Sequence, residues 1–134
     1  MKRSHRLLIT AGVVLSLTGL LSTTALASGS FNWSATFVHY LKSRTYTTPH
    51  AGVHTITTNA GSTCPGPGNV FEIRVVHEEA GPDTFYAWKK YTCGVAGSRQ
   101  WTIPQTGNFH FDIQKSDTND TTYTWNVSGT TFYP

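Results

Sequence analysis

Several histidines in this sequence lie near other polar residues, and each grouping offers the side chains used in metal binding or acid–base catalysis. His50 and His54 are four residues apart, a spacing that makes a metal-binding pair on a helix. Pro49 and Gly52 instead predict a turn that leads into a strand, where this spacing does not bring the two rings together. No Glu follows His50 as in the H-E-x-x-H pattern. We therefore expect no metal site at this pair.

The run His77-Glu78-Glu79 combines an imidazole with two carboxylates, which are the groups of general acid–base catalysis. Alternation along a strand turns His77 and Glu78 to opposite faces, so His77 is interpreted as a hydrogen-bonded core residue. The sequence carries no G-x-S-x-G or S-x-x-K motif and no phosphate-binding loop. These observations predict a protein that is not an enzyme and that uses no cofactor or catalytic metal.

A binding surface is indicated around Trp88. In a symmetrical hairpin about the Gly-Pro-Asp turn, Glu72 lies opposite Lys90 and Arg74 lies opposite Trp88 on the outward face. An ion pair and a cation over an indole both stabilise such a face. Lys89 then falls on the apolar face, which predicts either a position at the sheet margin or a bulge that shifts the register.

A second candidate surface comes from the last two predicted strands. A symmetrical hairpin sets Phe111 opposite Trp125 on an apolar face and His110 opposite Asn126 on a polar face. The polar face also carries Asp112. We expect His110, Asp112 and Asn126 to lie together on a solvated surface that is able to contact a ligand.

Cys64 and Cys93 are the two cysteines of the chain, and in an exported protein they are expected to form a disulfide. Their separation excludes the C-x-x-C geometry of thiol exchange, and two thiolates alone do not complete a zinc site. Cys64 lies in the tract 59–69, whose Pro and Gly residues predict a loop. A disulfide would tether this loop to the rest of the domain.

The N-terminus reads as a cleavable secretory signal of residues 1–27. Lys2, Arg3 and Arg6 precede an apolar run that is too short to span a bilayer, and Ala25-Leu26-Ala27 ends it as a small-x-small cleavage site. Those three are among ten basic residues, so cleavage leaves seven against seven Asp and Glu. The sequence pI near 9.0 therefore belongs to the signal and indicates no nucleic-acid partner. We expect secretion to the extracellular space, with no stable membrane insertion after cleavage.

Residues 28–134 are expected to form one domain. Short runs rich in Thr, Val, Ile and aromatic residues alternate with turn residues, and no window shows the helical period. The pattern predicts an all-β antiparallel sandwich, jelly-roll or immunoglobulin-like, of about seven or eight short strands. The predicted strands are 32–41, 44–48, 53–58, 70–78, 84–92, 100–103, 108–115 and 121–133.

Three functions remain open on these observations. The first is a secreted binding module for an extracellular protein or polysaccharide, which uses exposed aromatic residues such as Trp88. The second is a secreted antagonist, such as a small toxin or a protease inhibitor, which uses the tethered loop 59–69. The third is a hydrolase, and it requires the fold to bring His39, His50, His54 or His110 next to Asp112.

Overall fold

The computed structural model describes residues 28–117 and 120–134, and within these ranges the chain consists of strands and connecting loops. The predicted signal peptide, residues 1–27, lies outside the described residues. In chain order the strands are β1 (Gly29–Phe37), β2 (Tyr40–Lys42), β3 (Tyr46–Thr48), β4 (Gly52–Thr58), β5 (Val70–Glu78), β6 (Thr84–Phe85), β7 (Lys89–Thr92), β8 (Gly97–Ile103), β9 (Gly107–Lys115) and β10 (Trp125–Tyr133). The described part of the chain has no helix long and apolar enough to cross a membrane.

The strands form two antiparallel sheets that pack face to face, which confirms the predicted β-sandwich. The four-stranded sheet has the order β1-β10-β4-β8. The six-stranded sheet has the order β2-β9-β5-β6, with β3 also beside β9 and β7 also beside β5. Two of the predicted strands, 32–41 and 84–92, are each divided in two, so the count rises to ten.

The predicted C-terminal hairpin is wrong. β9 pairs with β5, β2 and β3 in the six-stranded sheet, whereas β10 pairs with β1 and β4 in the other sheet. Phe111 and Trp125 are both buried, as predicted, but they enter the core from opposite sheets. Because the chain crosses between sheets after β9, alternation is preserved while the predicted pairing is not.

The hairpin that starts at β5 has the predicted register near its open end, where Glu72 pairs with Lys90. Closer to the turn, Val76 pairs with Phe85, a register shifted by one residue. The shift between β6 and β7 is the bulge that the inward position of Lys89 suggested. Trp88 lies in this bulge.

The core between the sheets is built mainly from aromatic and β-branched side chains, such as Phe71, Ile73 and Trp125. The predicted disulfide is present between Cys64, in the loop after β4, and Cys93, which follows β7. It therefore joins a loop of the four-stranded sheet to a strand end of the six-stranded sheet. A cross-link of this kind stabilises a small domain by restricting its unfolded state.

Candidate functional site

The outer surface of the six-stranded sheet collects charged side chains on its two central strands. On β5 and β9 the residues that alternate with the core positions point away from the core. Together with neighbours on β2 they form what we call the polar face: Tyr40, Lys42, Arg74, Glu78, His110 and Asp112. Phe85, Trp88 and Lys90 lie on the β6–β7 side of this face.

Asp112 is at the centre of the polar face and is almost fully buried, with 1% of its surface exposed. It accepts hydrogen bonds from the Tyr40 hydroxyl at 2.6 Å and from Arg74 Nε at 2.9 Å. His110 Nε2 lies 3.3 Å from Asp112 Oδ1, the same oxygen that accepts the bond from Tyr40. A buried carboxylate with several donors holds those donors in fixed positions. Burial, followed by the bond to Asp112, raises the pKa of Tyr40 to about 12.

His110 lies between two carboxylates. Its Nδ1 is 2.8 Å from Glu78 Oε1, and its Nε2 faces Asp112. Desolvation raises the pKa of Glu78, but bonds from Thr45, His110 and Lys42 outweigh it, and the net pKa lies below the ordinary value. Both ring nitrogens of His110 are therefore engaged within the protein, and neither is free to act on a substrate.

The structure corrects the expectation that His110 and Asp112 are solvated. His110 is 4% exposed because β9 is a central strand, and long side chains from β2 and β5 cover its outer surface. These two residues form the buried base of the polar face. The surface that a partner can reach is formed by the more exposed side chains around them, including those of Arg74 and Phe85.

Arg74 stacks between two aromatic rings. Its guanidinium carbon lies 4.2 Å from the ring centroid of Phe85 and 4.5 Å from that of Trp88. Phe85 is 57% exposed, whereas Trp88 is half-buried. The Nε bond to Asp112 orients the guanidinium, and its terminal nitrogens make no hydrogen bond to the residues that the structure describes. The proximity of Arg74 and Trp88 was predictable from the hairpin, but the contribution of Phe85 depends on the bulge.

Lys90 and Asn126 have different relations to this site. Lys90 is exposed and lies opposite Glu72 on the β7 side of the same surface. Asn126 is on β10 in the other sheet, where its side chain accepts a hydrogen bond from the Thr36 hydroxyl at 2.7 Å. The predicted grouping of Asn126 with His110 and Asp112 is therefore wrong, because β9 and β10 are not neighbours.

Of the four histidines considered for a hydrolase, His110 lies beside Asp112, and within the described residues no ion pair joins His39, His50 or His54 to that carboxyl group. His54 is fully buried against Phe109, and its Nδ1 bonds the Tyr46 hydroxyl at 2.9 Å. Burial lowers the pKa of His54 to about 4. His77 also stacks on Phe109 and bonds Glu79. Among the described residues no group of three or more His, Cys, Asp or Glu side chains could hold a metal ion.

Sequence reasoning missed a cleft of about 290 Å³ between β1 and β2, at one side of the sandwich. Its lining includes Trp33, Leu41, Arg44 and Phe111. Leu41 is the one leucine in the sequence after residue 27 and is 36% exposed, although its strand partner Ile113 is fully buried. A solitary leucine in so aromatic a domain is the one sequence signal that could have drawn attention to this place.

The loop 59–69 lies at one end of the sandwich and is fixed at three points. Cys64 is bonded to Cys93, Thr63 and Asn126 exchange two backbone hydrogen bonds, and the indole of Trp125 donates to Pro65 O at 3.0 Å. Residues 65–69 nevertheless remain exposed. The loop is thus both held in place and accessible.

Comparisons with known proteins identify no family for this chain. No family model matches it, and no curated protein sequence matches it. Among solved structures, the chain is similar to the crystal structure of Aeromonas hydrophila PliG, a periplasmic lysozyme inhibitor of g-type lysozyme. The similarity has a TM-score of 0.40 at 14% sequence identity, and it covers 81% of this chain and 85% of the PliG chain.

Proposed function

We propose that this chain is an exported, non-enzymatic binding protein that contacts an extracellular protein partner through its polar face. The observation that carries the proposal is the Arg74 guanidinium held between Phe85 and Trp88 above a buried carboxylate. Arg and Trp are the residue types that contribute most to binding energy at protein interfaces. Because Arg74 is already oriented, a partner's carboxylate would bind it with little further loss of side-chain entropy.

The opposite outer surface differs in chemistry and supports this choice of face. The outward positions of β1, β4, β8 and β10 carry Ser, Thr, Asn and Gln side chains, with Val53 and Phe132 as the apolar exceptions. No outward position there is ionisable. An extracellular partner that recognises charge and aromatic surface together would therefore bind the six-stranded side.

The chemistry of the stack favours a protein over a polysaccharide. One face of each ring is already covered by the guanidinium, so flat stacking of a sugar ring would have to use the remaining faces. An acidic side chain on a protein loop can instead approach the terminal nitrogens of Arg74 between the rings. Lys90 adds a second positive charge on this side of the surface.

A binding panel tests the proposal. The purified secreted form would be immobilised and exposed to purified extracellular proteases and glycosidases, and separately to insoluble chitin, cellulose and peptidoglycan. We expect a protein ligand whose affinity falls about tenfold or more in Trp88→Ala and Phe85→Ala. Phe132→Ala is the matched control, because it removes an exposed aromatic ring from the opposite face, and it should leave the affinity unchanged.

Three results would contradict the proposal. Binding only to the polysaccharides would mean that the partner class is wrong. An affinity that is insensitive to Trp88→Ala would mean that the face is wrong. An equal loss in Phe85→Ala and Phe132→Ala would point to a general effect of surface apolarity.

A secreted antagonist is a second candidate, and the fixed but exposed loop 59–69 favours it. A rigid loop inserts into the active site of a target enzyme without paying the entropy of ordering. This function predicts inhibition of one of the panel enzymes that survives Trp88→Ala and is lost in Cys64→Ser/Cys93→Ser. Retained inhibition in the cysteine variant would remove the loop from consideration.

A further inference from the structure

The sandwich has four sheet edges, and three of them are blunted against pairing with another strand. β2, β3, β6 and β7 are only two to four residues long. On β8, Arg99 bonds the carbonyl of Ser98 and Lys89 bonds the carbonyl of Gln100, so side chains occupy part of that edge. Short strands and edge cations are the usual means by which native sheets avoid adding a strand.

β1 is the exception. It is nine residues long, pairs with β10 over its whole length, and contains neither a proline nor a charged residue. No described strand or side chain bonds its backbone on the other side. Its outer edge therefore presents a continuous row of unpaired N–H and C=O groups.

The cleft of about 290 Å³ opens directly beside this free edge. Trp33 on β1 and Phe111 on β9 both line it and contact each other, with ring centroids 5.0 Å apart, and Leu41 on β2 lies in the same lining. Side chains of a strand added to β1 would alternate between solvent and the space between the sheets. Those pointing inward would enter the cleft.

Arg44 places a positive charge at the mouth of the cleft. Between β2 and β3 the register on β9 shifts by one residue, from the pairing of Lys42 with Asp112 to that of Tyr46 with Phe109. This bulge turns Arg44 toward β1, where its guanidinium lies 4.1 Å from the ring centroid of Phe31. The described residues supply no carboxylate to Arg44, and the cleft lining contains no acidic side chain.

We propose that the free edge of β1 binds an extended segment of a partner protein, which adds as a fifth strand to the four-stranded sheet. The segment inserts an apolar side chain into the cleft against Trp33, Leu41 and Phe111 and pairs an Asp or Glu with Arg44. Main-chain hydrogen bonds supply affinity in this mode of recognition, and the pocket and the charge supply specificity. The site is separate from the polar face and does not depend on the function proposed there.

Charge complementarity favours such a segment over a second copy of this chain. Pairing β1 with β1 of another molecule would bring no carboxylate to Arg44, because the strand carries no Asp or Glu. A partner segment with an acidic residue satisfies the backbone edge, the apolar cleft and the unpaired guanidinium together.

A displayed library of random nine-residue peptides, selected on the immobilised secreted form, tests this inference. We expect enriched sequences with apolar residues at alternate positions and one Asp or Glu. Synthetic versions should lose more than about thirtyfold in affinity when alternate amides on one edge are N-methylated, because the ladder cannot then form. Arg44→Gln should weaken binding about tenfold, while the matched Arg99→Gln on β8 should change it less than about twofold.

Hydrogen exchange locates the bound peptide. The expected result is slower exchange of β1 amides on binding, with unchanged affinity in Phe85→Ala, so that failure here is distinct from failure at the polar face. The inference is overturned if no alternating sequence is enriched, if N-methylation has no effect, or if protection falls on β8. It is also overturned if Arg99→Gln and Arg44→Gln weaken binding equally, or if the protein self-associates through β1 and the peptides do not compete.

Discussion

The two sides of the sandwich, where the edges of the sheets meet, are built differently. On the side of β7 and β8, the Trp101 indole donates to Ala87 O at 2.9 Å and Lys89 Nζ donates to Gln100 O at 2.5 Å. Each bond runs from a side chain of one sheet edge to the backbone of the other. We call this side the sealed seam.

The side of β1 and β2, the open seam, lacks such bonds within the described residues. The buried Trp33 Nε1 has no hydrogen-bond partner there, and Arg44 contacts the ring of Phe31 rather than backbone of the opposing sheet. On this side a cleft lies between the two sheets. Side-chain bonds to backbone therefore join the two sheets at the sealed seam, and the described residues make no such bonds at the open seam, where we propose that a partner strand binds.

The largest expected effect concerns the disulfide, which reinforces the sealed seam at the end of β7. Cys64→Ala/Cys93→Ala should lower the free energy of unfolding by roughly 3–4 kcal/mol, because the unfolded chain regains the freedom of a long loop. Urea unfolding measures this change. Reduction should destabilise the parent protein by a similar amount and leave the variant unaffected, and a loss under about 1 kcal/mol would show that the sealed seam does not need the cross-link.

The next effect is acid destabilisation through His54, which packs in the core against Tyr46 and Phe109. Its pKa is about 4 in the folded protein against 6.5 for the free side chain, so the unfolded chain binds more protons as pH falls below 6.5. Its stabilising contribution is complete above that pH and is lost progressively down to pH 4.

Unfolding at pH 5 should therefore require about 2 kcal/mol less than at pH 7 on account of His54. His54→Gln should flatten this part of the pH profile, while the surface variant His50→Gln should retain it. Equal pH profiles for the parent protein and His54→Gln would show that another group governs the loss.

A matched pair of tryptophan variants compares the seams directly. Trp101→Phe removes the bond to Ala87 O, whereas Trp33→Phe removes an indole nitrogen with no described partner. The first should cost about 1–2 kcal/mol more than the second, since only the first leaves a carbonyl unpaired and gives up a bond. Thermal and urea unfolding of both variants give this difference. Equal losses would mean that packing alone distinguishes the two sides.

The smallest effect is expected for the two cations. Lys89→Met should cost about 1 kcal/mol by removing the bond to Gln100 O, while Arg44→Met should cost less than about 0.5 kcal/mol because its stacking is exposed and its apolar stem is retained. Because both losses are small, the two variants should be unfolded in urea in parallel, and the measured quantity is the difference between their free energies of unfolding. A larger loss for Arg44→Met would indicate that the open seam is held by charge.

Much of the fold was predictable from local sequence. Turn residues and alternation located the strands, and the predicted export signal together with two cysteines indicated the disulfide. The register of β5 with β7 followed from placing Glu72 opposite Lys90, because a short turn and an apolar face restrict a hairpin to few pairings.

The arrangement of strands could not be obtained in the same way. The strands of Phe111 and Trp125 both alternate apolar and polar residues. The same alternation is expected for two neighbouring strands of one sheet and for two strands that face each other across a core, so it does not distinguish a hairpin from a crossover. Which strand becomes an edge depends on that arrangement. The cleft beside Trp33 and the separation of Asn126 from His110 therefore could not be predicted from the sequence. The stack of Arg74 on Trp88 could be predicted, because it depends only on a local hairpin.

Amide hydrogen exchange of the free protein, resolved by residue, tests the difference between the seams most directly. If the open seam is as described, the amides of β2 and those on the outer edge of β1 should exchange at least about tenfold faster than the amides of β7 and of the Ser98–Gln100 segment of β8. The reason is that few interactions oppose local opening of β1 and β2. Equal protection on the two sides, or faster exchange on the side of β7 and β8, would contradict the account.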